Sequence, residues 1–196
     1  MIPVEKRINS KETLNDWLAY EKNLYKVKSI FKNNLLSMFR LSESAILFKH
    51  QVLLRKTEYY KNTNKRIRGH YYSAKLMRMR YKYALHIPLN CCGRGFRIMH
   101  LGPILINSKS TIGENCVMHM GASVVAGGTS NEAPNIGDNC VIGVGAVVLG
   151  GVKIANCVAV GANAVVNKDV LEENIAVAGV PAKKISNNGR MTWNKK

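Results

Sequence analysis

The sequence is short of acidic side chains and of long apolar runs. It holds 12 Asp and Glu against 29 Lys and Arg, so its formal net charge at pH 7 is +17 over 196 residues. No apolar run approaches the roughly 18 residues that a membrane-spanning helix requires, and the first residues contain no apolar leader segment. These absences argue against a membrane-spanning or secreted protein, and we expect a cytoplasmic location.

Cysteines in disulfide-forming or metal-binding patterns are missing as well. The 5 cysteines are odd in number and include no Cys-x-x-Cys pair. They are Cys91, Cys92, Cys116, Cys140 and Cys157. Neither a disulfide framework nor a zinc ribbon is therefore indicated.

The basic residues that are present cluster in the N-terminal half. Residues 1 to 83 hold 19 basic and 6 acidic side chains, net +13, whereas residues 84 to 196 hold 10 and 6, net +4. Between residues 55 and 82 the cations are interleaved with tyrosines, a composition that attracts phosphate-rich partners such as nucleic acid, anionic lipid or acidic glycan. A solvated helix face explains the same composition.

Residues 1 to 85 are predicted to be helical. Ser10 is a suitable N-cap, and mostly apolar residues follow it at i, i+3, i+4 spacing as far as Tyr25. Two further helices are predicted over residues 44–61 and 65–85, which lack proline. Pro88 then ends the pattern, because proline has no backbone N–H and disfavours helix at the residue before it.

From residue 86 onward the sequence repeats every six residues. Aliphatic side chains recur in one phase, at Ile106, Ile112, Met118, Val124, Ile136, Ile142, Val148, Ile154, Val160 and Val166. The phase is missed at Ser130, within residues 126–134, whose composition indicates an excursion loop. A small residue such as Gly113, Gly137 or Gly143 often follows the aliphatic one.

A six-residue period fits neither an α-helix nor a two-sided strand, but it fits a triangular prism with one short strand and one turn per side. Three hexads close one coil of about 18 residues, and each coil buries its aliphatic row only against the coils above and below. Cys116 and Cys140 then point inward. The sequence predicts a mainly β fold: a parallel β-helix over residues 86–186, with an α-helical segment over 1–85 and a tail over 187–196. A β-sandwich is the competing fold, but its turns are not locked to one phase.

The repeat motifs resemble those of hexapeptide-repeat acyltransferases. The matching segments are residues 136–146 (IGDNCVIGVGA), 160–166 (VGANAVV) and 178–183 (AGVPAK). Within these enzymes the sequence is most similar to serine acetyltransferase and to the O-acetyltransferases of capsule and surface-polysaccharide loci. The resemblance implies a left-handed β-helix, an acetyl-CoA donor, no required metal, and a homotrimer whose active sites lie between subunits.

The resemblance also assigns roles to residues. His100, six residues before Ile106, matches the family's catalytic base, which takes the proton of an acceptor hydroxyl and returns it to the departing thiolate. A structural histidine in an inward slot is the alternative. His119 follows about one coil later and is expected to bind the acceptor, while backbone N–H groups near Ala126 and Gly127 are expected to hold the thioester oxyanion.

Further matches concern CoA. Val144 and Ala162, which are 18 residues apart, match positions whose backbone meets the pantetheine arm. Lys183 and Lys184 follow the turn where the family holds the nucleotide end, and their charge suits a 3′-phosphate. A solubilising pair of lysines is the alternative for these two residues.

Two departures from the family pattern bear on the acceptor. Met99 takes the place of the aspartate that orients the histidine in serine acetyltransferase, and Glu132 and Ala133 replace its Arg-His pair for the substrate carboxylate. Because Glu132 repels a carboxylate, the sequence favours a sugar hydroxyl of a surface or capsular polysaccharide intermediate, with Glu132 contacting this substrate. Serine O-acetylation for cysteine biosynthesis is the alternative. The basic N-terminal half would hold the enzyme at an anionic membrane surface.

Two other classes of protein share features with this sequence. A γ-type carbonic anhydrase has the same prism but needs three zinc-binding histidines, and His86, His100 and His119 lack the short spacing of that site. A binding module that displays basic helices to nucleic acid is the other class. We expect no nucleic-acid partner.

Overall fold

The computed structural model describes residues 1–128 and 131–190. The chain divides into two compact units. One is Pro3–Ala84, and the other combines Met1–Ile2 with the described residues from Leu85 onward. In the second unit the backbone N–H of Ile2 donates to the carbonyl of Asn90 at 2.8 Å.

The first unit is helical. A 3-10 turn, Val4–Lys6, precedes four helices: α1 (Lys11–Leu24), α2 (Ile30–Met38), α3 (Glu43–Asn62) and α4 (Arg66–Tyr83). The first three begin at serines, because the hydroxyls of Ser10, Ser29 and Ser42 each accept a bond from a backbone N–H in the first turn. The predicted cap at Ser10 is confirmed. Helix α2 was not foreseen.

The core of the helical unit joins α1 to α3. Leu14 and Trp17 of α1 pack with Ile8 and with Tyr59 of α3. The apolar face that the spacing predicts for α1 is therefore the face that this helix buries.

The second unit consists of short strands. They are β1 (Leu85–His86), β2 (Arg97–Ile98), β3 (Ile104–Ile106), β4 (Thr111–Ile112), β5 (Val117–Met118), β6 (Ser123–Val125), β7 (Asn135–Ile136), β8 (Val141–Ile142), β9 (Val147–Leu149), β10 (Lys153–Ile154), β11 (Ala159–Val160), β12 (Val165–Val166), β13 (Ala176–Ala178) and β14 (Lys183–Ser186). They form three sheets: sheet A (β1-β3-β6-β9-β12), sheet B (β10-β7-β4) and sheet C (β14-β13-β11-β8-β5-β2). All pairs are parallel except β13–β14. Along most of this unit, consecutive strands belong to sheets A, B and C in rotation. The three sheets therefore form the three sides of a prism.

The strand register confirms the predicted coil. Val147 pairs with Val165 and Lys153 with Asn135, both 18 residues apart. Pairs that span the excursion, such as Thr111 with Asn135, are 24 residues apart. The excursion therefore adds six residues without shifting the phase, which explains why the aliphatic row continues after it. Ser130, where the phase is missed, lies outside the described residues.

The aliphatic row forms the interior of the prism. All ten members of the predicted row are buried. Cys116 and Cys140 are buried too, which confirms their predicted inward direction. Each coil thus covers the apolar surface of the next coil, and isolated coils have no core of their own.

The corners of the prism explain the asparagines and glycines of the repeat. Asn115, Asn139 and Asn163 occupy equivalent corner positions with φ between 54° and 55°, a left-handed conformation that asparagine adopts at low cost. At Gly143 the coils approach so closely that a Cβ would lie 2.7 Å from the carbonyl oxygen of Val160. A side chain there would separate the coils.

The described C-terminal residues lie on the β-helix. Strand β14 returns antiparallel to β13, and the N–H groups of Gly189 and Arg190 donate to the carbonyls of Asn174 and Cys157 at 2.8 Å. Across both described stretches of the chain, no helix has the length and apolarity to cross a membrane.

Candidate active site

One edge of the prism, where the chain passes from sheet C to sheet A, gathers four of the predicted residues. We call it the C/A edge and define it by His100, His119, Val144 and Ala162. The backbone bonds from Met99 N to Met118 O (3.0 Å), His119 N to Ile142 O (3.0 Å) and Gly143 N to Val160 O (2.9 Å) stack the successive corners. His100, Val144 and Ala162 therefore lie in one file along this edge.

The imidazoles of His100 and His119 face each other across adjacent coils. Their ring centroids are 6.5 Å apart and the ring planes are inclined by 46°. The ring nitrogens are too far apart to hydrogen-bond each other. His100 is exposed, so its side chain does not fill an inward slot, even though it shares the six-residue phase of Ile106. His119 is half-buried.

The surroundings of His119 lower the pKa of its ring. Partial burial is the largest cause, and electrostatic repulsion from His100, Arg97 and Arg190 lowers the pKa further. Arg190 is itself half-buried, and its pKa is lowered by desolvation and by repulsion from Arg97. Neither arginine was among the predicted site residues. Arg97 lies three residues before His100, whereas Arg190 reaches His119 only through the fold.

An apolar groove runs from His119 along the outside of sheet C. Its volume is about 260 Å³. The lining residues are His119, Val141, Gly143, Val144, Ala159, Val160, Gly161, Ala162, Ala176, Val177 and Ile185. Both positions matched to the pantetheine arm, Val144 and Ala162, are among them. The groove accepts a flexible, largely apolar chain whose polar groups bond to backbone at the corners.

The remaining predicted residues lie elsewhere in the chain. Ala126 and Gly127 follow β6 at the corner between sheets A and B, which we call the A/B edge. Glu132 lies at the same edge, because its side chain covers Gly151 between β9 and β10. Three strand residues of sheet A, at about 3.3 Å each, separate this edge from the C/A edge. One subunit alone does not bring Ala126, Gly127 or Glu132 to His100.

Lys183 and Lys184 lie in β14, beside the groove residue Ile185. Lys184 pairs with Glu172, with 2.5 Å between Nζ and Oε1, and both side chains are partly exposed. Lys183 is exposed on the same strand. The two lysines are therefore not equivalent, since the charge of Lys184 is already partly compensated.

Within residues 1–128 and 131–190, no group of three or more His, Cys, Asp or Glu side chains is arranged so that it could hold a metal ion.

No protein-family model matches the sequence, and no curated protein matches it significantly. Solved structures do match the fold. A serine acetyltransferase in complex with cysteine is 20% identical with a TM-score of 0.65, over 90% of this chain and 71% of that chain.

Two further enzymes align over similar lengths. The Brucella abortus serine acetyltransferase in complex with coenzyme A has 19% identity and a TM-score of 0.63, over 92% of this chain and 70% of its own. The Neisseria gonorrhoeae serine acetyltransferase in complex with serine has 23% identity and a TM-score of 0.61, over 90% and 71%. The chain therefore has the fold of the serine acetyltransferases, a left-handed parallel β-helix preceded by α-helices.

Proposed function

We propose that the chain is an acetyl-CoA-dependent O-acetyltransferase. The observation that carries this proposal is the pair of imidazoles, His100 and His119, at one end of an apolar groove on the prism edge. A hydroxyl placed between the two rings reaches a nitrogen of each. The groove then receives the donor, with its thioester at the histidine end.

His100 acts as the general base in this proposal. Its neutral ring takes the proton of the acceptor hydroxyl as the oxygen attacks the thioester carbonyl, and the protonated ring then returns this proton to the departing thiolate of CoA. His119 holds the hydroxyl through a ring nitrogen. The depressed pKa of His119 favours this role, because a neutral ring can accept a hydrogen bond and does not repel a protonated His100.

The groove accounts for the donor. Corner backbone groups near Val144 and Ala162 bond to the amides of the pantetheine arm, and the apolar walls contact its methylene groups. Lys183, with Lys184 partly paired to Glu172, meets the 3′-phosphate of the nucleotide. The coenzyme A complex of the Brucella abortus structure supports this use of the fold.

A homotrimer completes the site. The oxyanion donors near Ala126 and Gly127 lie on the A/B edge, whereas His100 lies on the C/A edge. Three prisms packed side by side juxtapose the A/B edge of one subunit with the C/A edge of the next. Each site then takes its base from one subunit and its oxyanion donors, together with Glu132, from a neighbour.

The acceptor has two candidates. The likeness to solved serine acetyltransferases, one of them in complex with serine, favours L-serine. Met99 and Glu132 favour a sugar hydroxyl of a polysaccharide intermediate, because the negative charge of Glu132 repels a substrate carboxylate. In the second case the enzyme works in the cytoplasm at the membrane surface, where lipid-linked sugars reside.

Thiol release from acetyl-CoA tests the proposal and separates the acceptors. Purified full-length protein is incubated with acetyl-CoA alone, with L-serine, and with nucleotide- and lipid-linked sugars. Acceptor-dependent release of CoA is expected with at least one class, and the productive class identifies the acceptor. Absence of CoA binding by calorimetry would contradict the proposal whichever acceptors are tried.

A further inference from the structure

Helix α2 presents its apolar side to solvent and its polar side to the protein. Phe31, Met38 and Phe39 are 80%, 61% and 60% exposed, and Leu35 is exposed as well. Phe31, Leu35, Met38 and Phe39 follow i, i+4, i+7, i+8 spacing, so they share one face. We call this surface the α2 face.

The inward side of α2 is held by polar contacts. Asn33 and Ser37 are buried. The side-chain amide of Asn33 donates to the carbonyl of Ala45 of α3 at 3.4 Å, whereas Ser37 Oγ donates within α2 to the carbonyl of Asn34 at 2.9 Å. The polar residues thus lie on the inward side of α2 and the apolar residues on the outward side, in the opposite sense to an ordinary surface helix.

Cations surround the α2 face. Lys26, Lys28, Lys32 and Arg40 are the only charged residues between positions 26 and 42, and no acidic residue falls there. Beside α2, a groove of about 470 Å³ is lined by Ile30 together with three more lysines. These are Lys22, Lys49 and Lys56. An apolar strip flanked by these cations matches a partner that is apolar inside and anionic at its boundary.

We propose that the α2 face docks on an anionic phospholipid membrane. Phe31, Leu35, Met38 and Phe39 enter the acyl boundary while the flanking lysines and Arg40 contact lipid phosphates, as in interfacial amphipathic helices. The charge of the segment favours this partner over a second copy of the chain, because two copies would bring two sets of like charges together. The inference does not depend on the acyltransfer chemistry proposed above.

Vesicle co-sedimentation of the full chain tests the proposal. The probes are phosphatidylcholine vesicles with and without phosphatidylglycerol. We expect binding to the anionic vesicles that weakens with salt and falls roughly tenfold or more in Phe31→Ser/Phe39→Ser, which removes the apolar anchors without changing charge. Lys26→Gln/Lys28→Gln/Lys32→Gln is expected to weaken binding and to reduce its salt dependence.

Ile67→Ser is the matched control. Ile67 is 87% exposed between Arg66 and Arg68, so it is an apolar residue among cations outside the α2 face. This variant is expected to bind anionic vesicles as wild type does. The proposal would be overturned if the wild type did not bind anionic vesicles. It would also be overturned if Ile67→Ser lost as much vesicle binding as Phe31→Ser/Phe39→Ser. Dissociation of the oligomer in Phe31→Ser/Phe39→Ser with vesicle binding intact would overturn it as well, because this result assigns the α2 face to a second copy of the chain.

Discussion

Arg55 of α3 forms a buried salt bridge with Glu21 of α1 inside the helical unit. Its Nε and Nη2 donate to Glu21 Oε1 at 3.1 and 2.9 Å, and its Nη1 donates to Glu58 at 3.0 Å. The guanidinium also lies 4.7 Å from the ring centroid of Trp17. Burial raises the pKa of Glu21, and the charge of Arg55 opposes that rise. The two carboxylates therefore tolerate burial because Arg55 lies between them.

Replacing Arg55 by leucine is expected to destabilise the helical unit by about 3–5 kcal/mol, because two buried carboxylates lose their cation. Urea unfolding followed by circular dichroism measures this change. The control is Arg78→Leu, at an exposed position of α4, which is expected to shift stability by no more than about 0.5 kcal/mol. Equal effects of the two substitutions would show that the ion-paired cluster does not support the fold.

His50 of α3 makes the helical unit sensitive to acid. Its ring is fully buried, and neither ring nitrogen has a hydrogen-bond partner in the part of the chain that the structure describes. Burial, with repulsion from Arg55 and Arg80, lowers its pKa from 6.5 to about 4. Below pH 6.5 the unfolded chain binds a proton at His50, whereas the buried ring of the folded chain stays neutral. The contribution of His50 to the free energy of unfolding is therefore fully present above pH 6.5 and is lost as the pH decreases.

Between pH 6.5 and about 4, the free energy of unfolding is expected to fall by about 1.4 kcal/mol per pH unit through His50. His50→Leu removes this contribution and is expected to be neutral or stabilising at pH 7.5, because it also removes unpaired buried nitrogens. Unfolding curves at several pH values measure the slope. Exposed His70 supplies the control, since His70→Leu should keep the wild-type slope. An unchanged slope in His50→Leu would contradict the assignment.

Ala162 is exposed at a corner of the prism and lines the proposed pantetheine channel. Ala162→Glu places a carboxylate in that channel, where it blocks the arm and repels the phosphates of CoA. Calorimetric titration with CoA is expected to show a loss of affinity of roughly tenfold or more. Leu171→Glu, at another exposed position of the β-helix, should bind CoA normally. Equal affinities of the two variants would place the donor elsewhere.

The proposed sharing of each site between two subunits of a homotrimer predicts complementation. His100→Ala alters the C/A edge and Gly127→Glu the A/B edge, so homotrimers of either variant are expected to be inactive. Trimers that mix the two variants contain some interfaces with both edges intact. They are expected to recover part of the wild-type activity, measured on mixed trimers purified with two different tags. Mixed trimers without activity would show that the two edges do not form one site.

The repeat was predictable because its cause is local. Each aliphatic position recurs in one phase, and all ten residues of that row, from Ile106 to Val166, are buried. The phase also continued after the excursion, which the 24-residue separation of Thr111 and Asn135 explains. The fold, the inward direction of the two cysteines and the stacking of residues at the C/A edge could therefore be predicted from the sequence.

Features that depend on distant contacts were not predictable. Nothing in the sequence pointed to the buried ion pair of Glu21 with Arg55, because Arg55 begins the basic stretch 55–82, which a solvated helix face also explains. Helix α2 was missed because its apolar residues face solvent and its buried residues, Asn33 and Ser37, are polar. The separation of Glu132 from His100 within one chain depends on the corner at which the excursion leaves the prism.

The most direct test of the account is acceptor-dependent thiol release by wild type and His100→Ala. Because His100 is exposed, this substitution leaves the β-helix intact, which circular dichroism checks. With His70→Ala as the control that retains activity, we expect His100→Ala to lose roughly 10²–10⁴-fold in rate while CoA affinity is preserved. Full activity in His100→Ala, at wild-type CoA affinity, would contradict the account.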